Sequence, residues 1–355
     1  MPQRYGHMKG VKPYESLKNI FVKRYHTPEH NNIFRRQVYA YFIFALSAFK
    51  YAITKRKSFD IVFTTSSRLG TGFLGYLASK ATGKPLYLDI RDIFSDNLSS
   101  LPFFNNIIGQ LFVKLFKNIE IKIISHAKWV NFVSSGFSTY PHISNIRNDY
   151  HLYTNGIDDI FIKNRENINS KNDEKNKSLP ITILYAGNIG YGQGLEKIVI
   201  PVAKYFKEKI IFQLIGDGSS VSLIKNGIKE ESLSNVFLLP PVNRDSLIDY
   251  YNNADLFFLQ LNDIPAFRKV LPSKIFDYGS FDIPMIAGVK GVASSFIKEN
   301  LPSSHLFNPG DAESVINYIN KLISDGFPRV NNEEFSKLFS RRNIMKGMLN
   351  SIRSV

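Results

Sequence analysis

The chain has 355 residues, 44% of them hydrophobic, with 29 Phe and 18 Tyr. That is too long for one ordinary core, and too apolar for general disorder, so two domains are expected. It has no Cys, which excludes disulfides and thiolate metal sites, and its net charge is +15.

The charge is unevenly spread. Residues 1–155 hold 21 Lys+Arg against 8 Asp+Glu, a balance of +13, whereas residues 156–355 hold 24 against 22, or +2. A polyanionic partner is therefore expected for the first half. Nucleic acid is ranked below a membrane surface or a phosphate-bearing substrate, because no basic groove helix or RNP-like aromatic strand is present.

In chain order, MPQRYGHMKG has no apolar core of the kind a signal peptide carries. KNIFVKRY from Lys18 reads as the first clear strand. The apolar run Val38–Phe49, inside FRRQVYAYFIFALSAFKYAITKRK, is shorter than the roughly 18–20 residues needed to span a bilayer. Two readings stand: a buried domain helix with basic ends, or an interfacial helix with Arg35, Arg36, Lys55, Arg56 and Lys57 near anionic lipid. Leu101–Ile124 has the same apolar and basic mixture and could serve equally.

DIVFTTS, KPLYLDI and KWVNFVS continue the strands of the first half, separated by segments of helical spacing, and YHLYTNGI closes it. A polar stretch at 165–180 reads as an exposed linker. Strands restart in ITILYAG, KIIFQLIG, NVFLLP, ADLFFLQL, IPMIAG and SHLFNP. The expectation is α/β: two Rossmann-like doubly wound domains, at 1–164 and 181–330, with a helical segment 331–355 packing back toward the first.

Ligands in open parallel sheets bind beyond the carboxyl ends of the strands. There AGNIGYGQG places Gly187, Gly190, Gly192 and Gly194 between a strand and a helix, and LIGDG supplies Gly216 and Asp217. Neither is a GxGxxG or P-loop pattern, and tight turns use Gly for steric reasons as well. In RKVLPSKIFDY, Pro272 suits a first helical position, leaving Ser273 and Lys274 where free N–H groups favour an anion. Arg268 and Lys269 add charge beside it. Asp277, one turn later, projects from the same face and could accept from ribose hydroxyls, or simply pair with Lys274.

YTNGIDDIF, ILYAGNIG, LIGDG, LPSKIFDYGSFDIPMIAG and FNPGDAESVINYI, in that order, resemble retaining GT-B glycosyltransferases. The likeness is greatest to bacterial family 4 enzymes of O-antigen and capsule assembly, the fucosaminyltransferase type included, and LYLDIRDIFSDN looks like their Asp-Ile-Arg-Asp segment. The resemblance implies a nucleotide-sugar donor held mainly by the C-terminal domain and an acceptor, here a polyprenyl-diphosphate-linked glycan, held mainly by the N-terminal one. It implies transfer with retention. No required metal or cofactor is expected, and the charge division, the basic-flanked run Val38–Phe49 and a lipid-anchored acceptor together place the expected work at the inner face of the cytoplasmic membrane. Asp277 falls at the second glutamate of the family's Glu-x7-Glu motif, on the donor ribose, and Gly187 to Gly190 fall near the diphosphate. Arg268 and Lys274 are assigned to the leaving diphosphate, and Asp92 to the acceptor hydroxyl, with a helix cap or a pairing to Arg91 as the alternative for Asp89 and Asp92.

Three departures stand out. Lys269 occupies the position of the first glutamate. Asn188 and Gln193 replace a usual Arg and Lys. The start lacks the family's first strand and glycine-rich loop, so the N-terminal sheet is expected to lack a strand. These departures keep two alternatives open: a non-catalytic GT-B subunit that binds a nucleotide sugar, and a nucleotide-sugar epimerase. The seven His form no metal-ligand spacing.

Overall fold

The computed structural model describes residues 12–28, 34–66, 68–99, 104, 106–146, 149–168, 179–328 and 330–353. They form two compact units, Met1–Asn131 with Pro141–His151, and Phe132–Tyr140 with Leu152–Val355.

The first unit opens with an antiparallel hairpin, β1 (Tyr14–Leu17) and β2 (Ile20–Lys23), turning at Lys18 and Asn19. KNIFVKRY is thus the return arm of a hairpin and not a strand of the parallel sheet, which corrects the expectation. A parallel strand needs a long crossover, whereas two adjacent β-runs with a two-residue turn close on each other.

Then come α1 (Phe34–Thr54), β3 (Val62–Ser66), α2 (Leu69–Thr82), β4 (Leu86–Ile90), α3 (Phe94–Ser99), α4 (Ile107–His126), β5 (Trp129–Phe132), α5 (Pro141–Ser144) and β6 (His151–Leu152). The sheet order is β3-β4-β5-β6. Strands β3 and β4 are parallel, from Val62 opposite Leu86 to Ser66 opposite Ile90. Asn106 caps α4 by accepting from the Gly109 amide at 2.7 Å. No helix among the described residues is long and apolar enough to cross a membrane.

The buried-helix reading of Val38–Phe49 does not hold. On α1 only Ala40 is fully buried, while Val38, Tyr39, Phe42 and Leu46 are each more than half exposed.

The second unit contains α6 (Asp159–Ile168), β7 (Ile181–Asn188), α7 (Glu196–Phe206), β8 (Ile210–Asp217), α8 (Val221–Glu230), β9 (Val236–Leu239), α9 (Arg244–Asn253) and β10 (Leu256–Gln260). It continues with α10 (Lys274–Gly279), β11 (Met285–Gly288), α11 (Val292–Asn300), β12 (His305–Phe307), α12 (Ala312–Asp325), α13 (Glu333–Leu338) and α14 (Arg341–Arg353). Its six strands run in the order β12-β11-β10-β7-β8-β9, all parallel. The chain winds one way from β7 to β9 and the other from β10 to β12, so the winding reverses between β7 and β10.

Helices cover both faces, and the strands therefore read as continuous apolar runs. Ile183, Tyr185, Phe212 and Phe258 point into one core with Ile198, Val202 and Val315. Leu184, Ala186, Phe257 and Leu259 point into the other with Ile275, Tyr278 and Phe335.

The expected domain limit at 164 is corrected, since the main span of the second unit starts at Leu152. Arg165, assigned to the linker, is 7% exposed and pairs with Asp282 at 2.8 Å, so α6 is part of the second unit. The remainder of the linker from 169 to 178 lies outside the described residues.

The C-terminal segment likewise packs on its own unit. Phe335 and Phe339 lie against Phe276 and Phe296, Ile157 bridges Ser340, and the Tyr153 hydroxyl donates to Gly347 O at 3.0 Å. Aromatic burial draws these helices onto α10 and α11.

Candidate functional site

At the reversal point, β7 and β8 end side by side with Gly187 opposite Gly216. Both have positive φ, +147° and +153°. A Cβ on Gly216 would collide with the Gly187 carbonyl, and one on Gly187 with Cε and Nζ of Lys274. Glycine is therefore required for close approach, and the space it leaves over Gly187 is filled by an ammonium.

The loop after β7 is held from several sides. Ile189 N donates to Asp217 O at 2.9 Å, Ser220 N to Ile189 O at 2.9 Å, and the Gly218 amide to Asp217 Oδ1 at 2.8 Å. The Asn188 side chain and the Gly190 amide both donate to Gln193 Oε1, at 2.8 and 3.1 Å. The pair expected to stand for Arg and Lys thus closes the turn on itself.

Two residues that sequence reasoning missed secure this loop from β10. Gln260 is fully buried and donates to Gly194 O. Asn262 donates to Tyr191 O and accepts from Lys197 Nζ at 2.8 Å. A polar pair at the end of an apolar strand was the available signal, since buried amides need partners.

Helix α10 is short, with Ser273 exposed at its N-cap and making no side-chain cap bond. Lys274 also lies 5.0 Å from the Tyr185 ring centroid. Burial lowers its ammonium to about 8, with Asp277 pulling the other way. Burial pushes the Asp277 carboxyl up to about 6, against the pull of Arg244, Lys274 and Arg341. The two arginines are fixed nearby by Asp158, which pairs with Arg244 and, at 2.6 Å, with Arg341. The structure thus brings Gly187, Gly216, Lys274 and Asp277 together and adds Asp158, Arg244 and Arg341, to which the sequence had assigned no role.

Arg268 and Lys269 go elsewhere. Arg268 donates to Asp263 Oδ1 at 2.8 Å, and Lys290 donates to Asp263 Oδ2 at 2.8 Å. These bonds, from Arg268 first, hold the Asp263 carboxyl down at about 2. Lys269 places its Nζ 3.4 Å from the Tyr140 ring centroid, and its carbonyl accepts from Ser134 Oγ. Its ammonium is turned to an aromatic face within the 132–140 segment.

In the first unit, Asp89 accepts from Arg91 Nε at 3.0 Å and Asn131 Nδ2 at 2.7 Å. Burial raises the Asp92 carboxyl, while an Asn97 hydrogen bond and the Ile93 amide oppose the rise. The next helix, α3, is capped instead by Glu120, which accepts from the Phe94 amide at 2.7 Å and the Ser95 amide at 3.2 Å. Among the described residues no group of three or more His, Asp or Glu could hold a metal ion.

Comparison with known proteins gives this geometry a context. Residues 165–338 match the sequence model of the family described as "Glycosyl transferases group 1". Over 93 residues the chain is 31% identical to WcaI of Escherichia coli (strain K12), assigned to colanic acid biosynthesis as a glycosyl transferase. That match takes in 26% of this chain and only 23% of the relative's length.

Anabaena HepE, solved in complex with UDP and glucose, superimposes with a TM-score of 0.66 at 15% identity, covering 88% of this chain and 81% of that one. Sucrose-phosphate synthase from Thermosynechococcus elongatus gives a TM-score of 0.70 at 15% identity, covering 98% and 86%. The fold is therefore that of the GT-B glycosyltransferases, with two Rossmann-like units. The fucosaminyltransferase subtype receives no support from these relatives.

Proposed function

We propose that the protein is a glycosyltransferase of surface polysaccharide assembly, moving a sugar with retention from a nucleotide-sugar donor to a polyprenyl-diphosphate-linked glycan at an anionic membrane. The observation that carries this reading is Lys274, its ammonium laid over Gly187 where the winding of the sheet reverses. The Lys274 ammonium, held at the 187–190 turn, would stabilise the charge that develops on a departing diphosphate. Asp277, one turn along, would accept from the ribose hydroxyls. The UDP-bound structure of HepE and the group 1 domain match both support a nucleotide diphosphate as the ligand class. Arg268, released from Asp263, is a second diphosphate contact in this reading, and Asp92 is the group that receives the acceptor proton.

A donor-binding subunit without transfer activity is the second reading, and one observation favours it. At the position where the family's first glutamate falls, the chain has Lys269, and its charge is directed to Tyr140.

Calorimetric titration with UDP and a panel of nucleotide sugars, followed by mass analysis of a polyprenyl-diphosphate acceptor, tests both readings. Asp277→Ala is expected to weaken UDP binding about ten- to a hundredfold, the range of a charge-assisted hydrogen bond. Donor binding without any mass gain on the acceptor would select the second reading. Absence of nucleotide binding would end both.

A further inference from the structure

Three helices of the first unit share an outer face of unusual chemistry. Helix α2 turns Gly72 toward Ser66 and Gly75 toward Thr64 of β3, and Gly70 toward Tyr41 of α1. Its Tyr76 packs edge-on to His126 of α4, with centroids 5.0 Å apart. Those contacts fix α2 between α1 and α4 with its back to the sheet. Phe73 and Leu77, one turn apart, are left facing outward at 40% and 37% exposure.

Its neighbours continue the surface. On α1 the outward stripe is Val38, Tyr39, Phe42 and Leu46; on α4 it is Ile107, Ile108, Leu111 and Leu115, with Ile107 82% exposed. The charges are nearly all of one sign. Arg35, Arg36 and Lys50 lie on α1, Lys80 on α2, and Lys114, Lys117 and Lys122 on α4. Only one carboxylate occurs in the three helices, Glu120, and it is buried beneath them capping α3.

An exposed apolar patch of this extent marks a surface that is covered in use. Aliphatic stripes have no affinity for a phosphate backbone, which disfavours nucleic acid. A second copy of the chain would set like charges against each other. We propose that this three-helix face docks on an anionic phospholipid bilayer, its apolar side chains at headgroup depth and its Arg and Lys on lipid phosphates. The purpose, reaching an acceptor carried in lipid, rests on the transferase reading; the binding itself does not.

The test is flotation of the full chain with acceptor-free vesicles of phosphatidylcholine, with and without about one-third phosphatidylglycerol. The chain is expected to float with the anionic vesicles and much less with the neutral ones. Each cation near the surface multiplies partitioning about fivefold. Arg35→Gln with Arg36→Gln should therefore reduce it by at least about tenfold. Phe42→Gln with Leu46→Gln should abolish the fraction that survives when salt shortens the Debye length from about 10 Å to about 3 Å. Both double variants should bind UDP as wild type does, since the nucleotide site lies in the other unit; that control separates failure here from failure of the transferase reading. The proposal is overturned if wild type stays unbound at low salt, or if both variants float as well as wild type. It is also overturned if the chain is a lipid-free dimer that Phe42→Gln with Leu46→Gln dissociates.

Discussion

Lys274 and Asp277 have acid–base constants that approach each other, about 8 and about 6, because burial penalises both charges. Their separate effects on stability follow from sign. Asp277 binds its proton more tightly folded than at its ordinary 3.8, so its contribution is present at low pH and is lost as pH rises through about 6. Asp277→Asn is isosteric and cannot ionise. Its melting temperature should gain on that of wild type as pH is raised from 4 to 7, which a pair of thermal denaturation series would check. Lys274 runs the other way: protonated below about 8, it becomes neutral above. UDP affinity is thus expected to fall as pH rises from 7 to 9.5, measured by calorimetry. In Lys274→Met it should be about ten- to a hundredfold lower and flat across that range.

At the scale of the element, the ends of β7 and β8 depend on backbone positions that only glycine occupies without strain. Gly216 has φ +153° and no room for a Cβ beside the Gly187 carbonyl. Gly216→Ala is expected to cost about 1–3 kcal/mol in urea unfolding. Because the displaced strand end also carries Asp217, whose carbonyl receives the Ile189 amide, UDP affinity should fall with it. Unchanged binding in that variant would mean that the 187–190 turn does not contact the nucleotide. The order of strands around this point explains why two glycines 29 positions apart in sequence meet: β8 is laid parallel to β7 in register from Ile181 opposite Ile210.

At the scale of the whole molecule, the second unit gathers pieces from both sides of the polar 165–180 stretch. Arg165 ties α6 to Asp282, and its guanidinium also reaches Ser280 O and Asn331 Oδ1. Arg165→Ala leaves the partly exposed Asp282 carboxylate with the Asn332 amide, from which it accepts at 2.7 Å. The substitution is expected to lower stability by about 1.5–3 kcal/mol in chemical denaturation, the range of a hydrogen bond to a charged group. The loss should appear in the transition of the second unit, read from the environment of the Phe335 and Phe276 cluster. A variant as stable as wild type would mean that α6 is held by Phe161 and Ile157 packing alone, both of which are fully buried.

Much of this was written in local sequence. The strands of the second unit are apolar runs bounded by Gly, Pro and Asn, and their period and punctuation suffice to place them. The same applies to Gly187, Gly216, Lys274 and Asp277, which stand at strand ends or one turn apart in a helix. What local pattern could not decide is partnership across distance. KNIFVKRY looks like any strand until Tyr14–Leu17 pairs with it. Arg165 looks like a linker charge until Asp282 buries it. Lys269 sits in a motif position, yet Tyr140, far away in the chain, takes its ammonium. Gln260 and Asn262 had no motif at all, and Asp158 had one, YTNGIDDIF, that gave it no role, because what makes them matter is the burial of groups they must satisfy. Sequence by itself determined the periodicities, the turn glycines and the distribution of charge, all of them properties of neighbouring residues. Tertiary structure alone decided which distant groups share a low-dielectric space, and hence which charges are paired, which are shifted, and which remain free to meet a ligand.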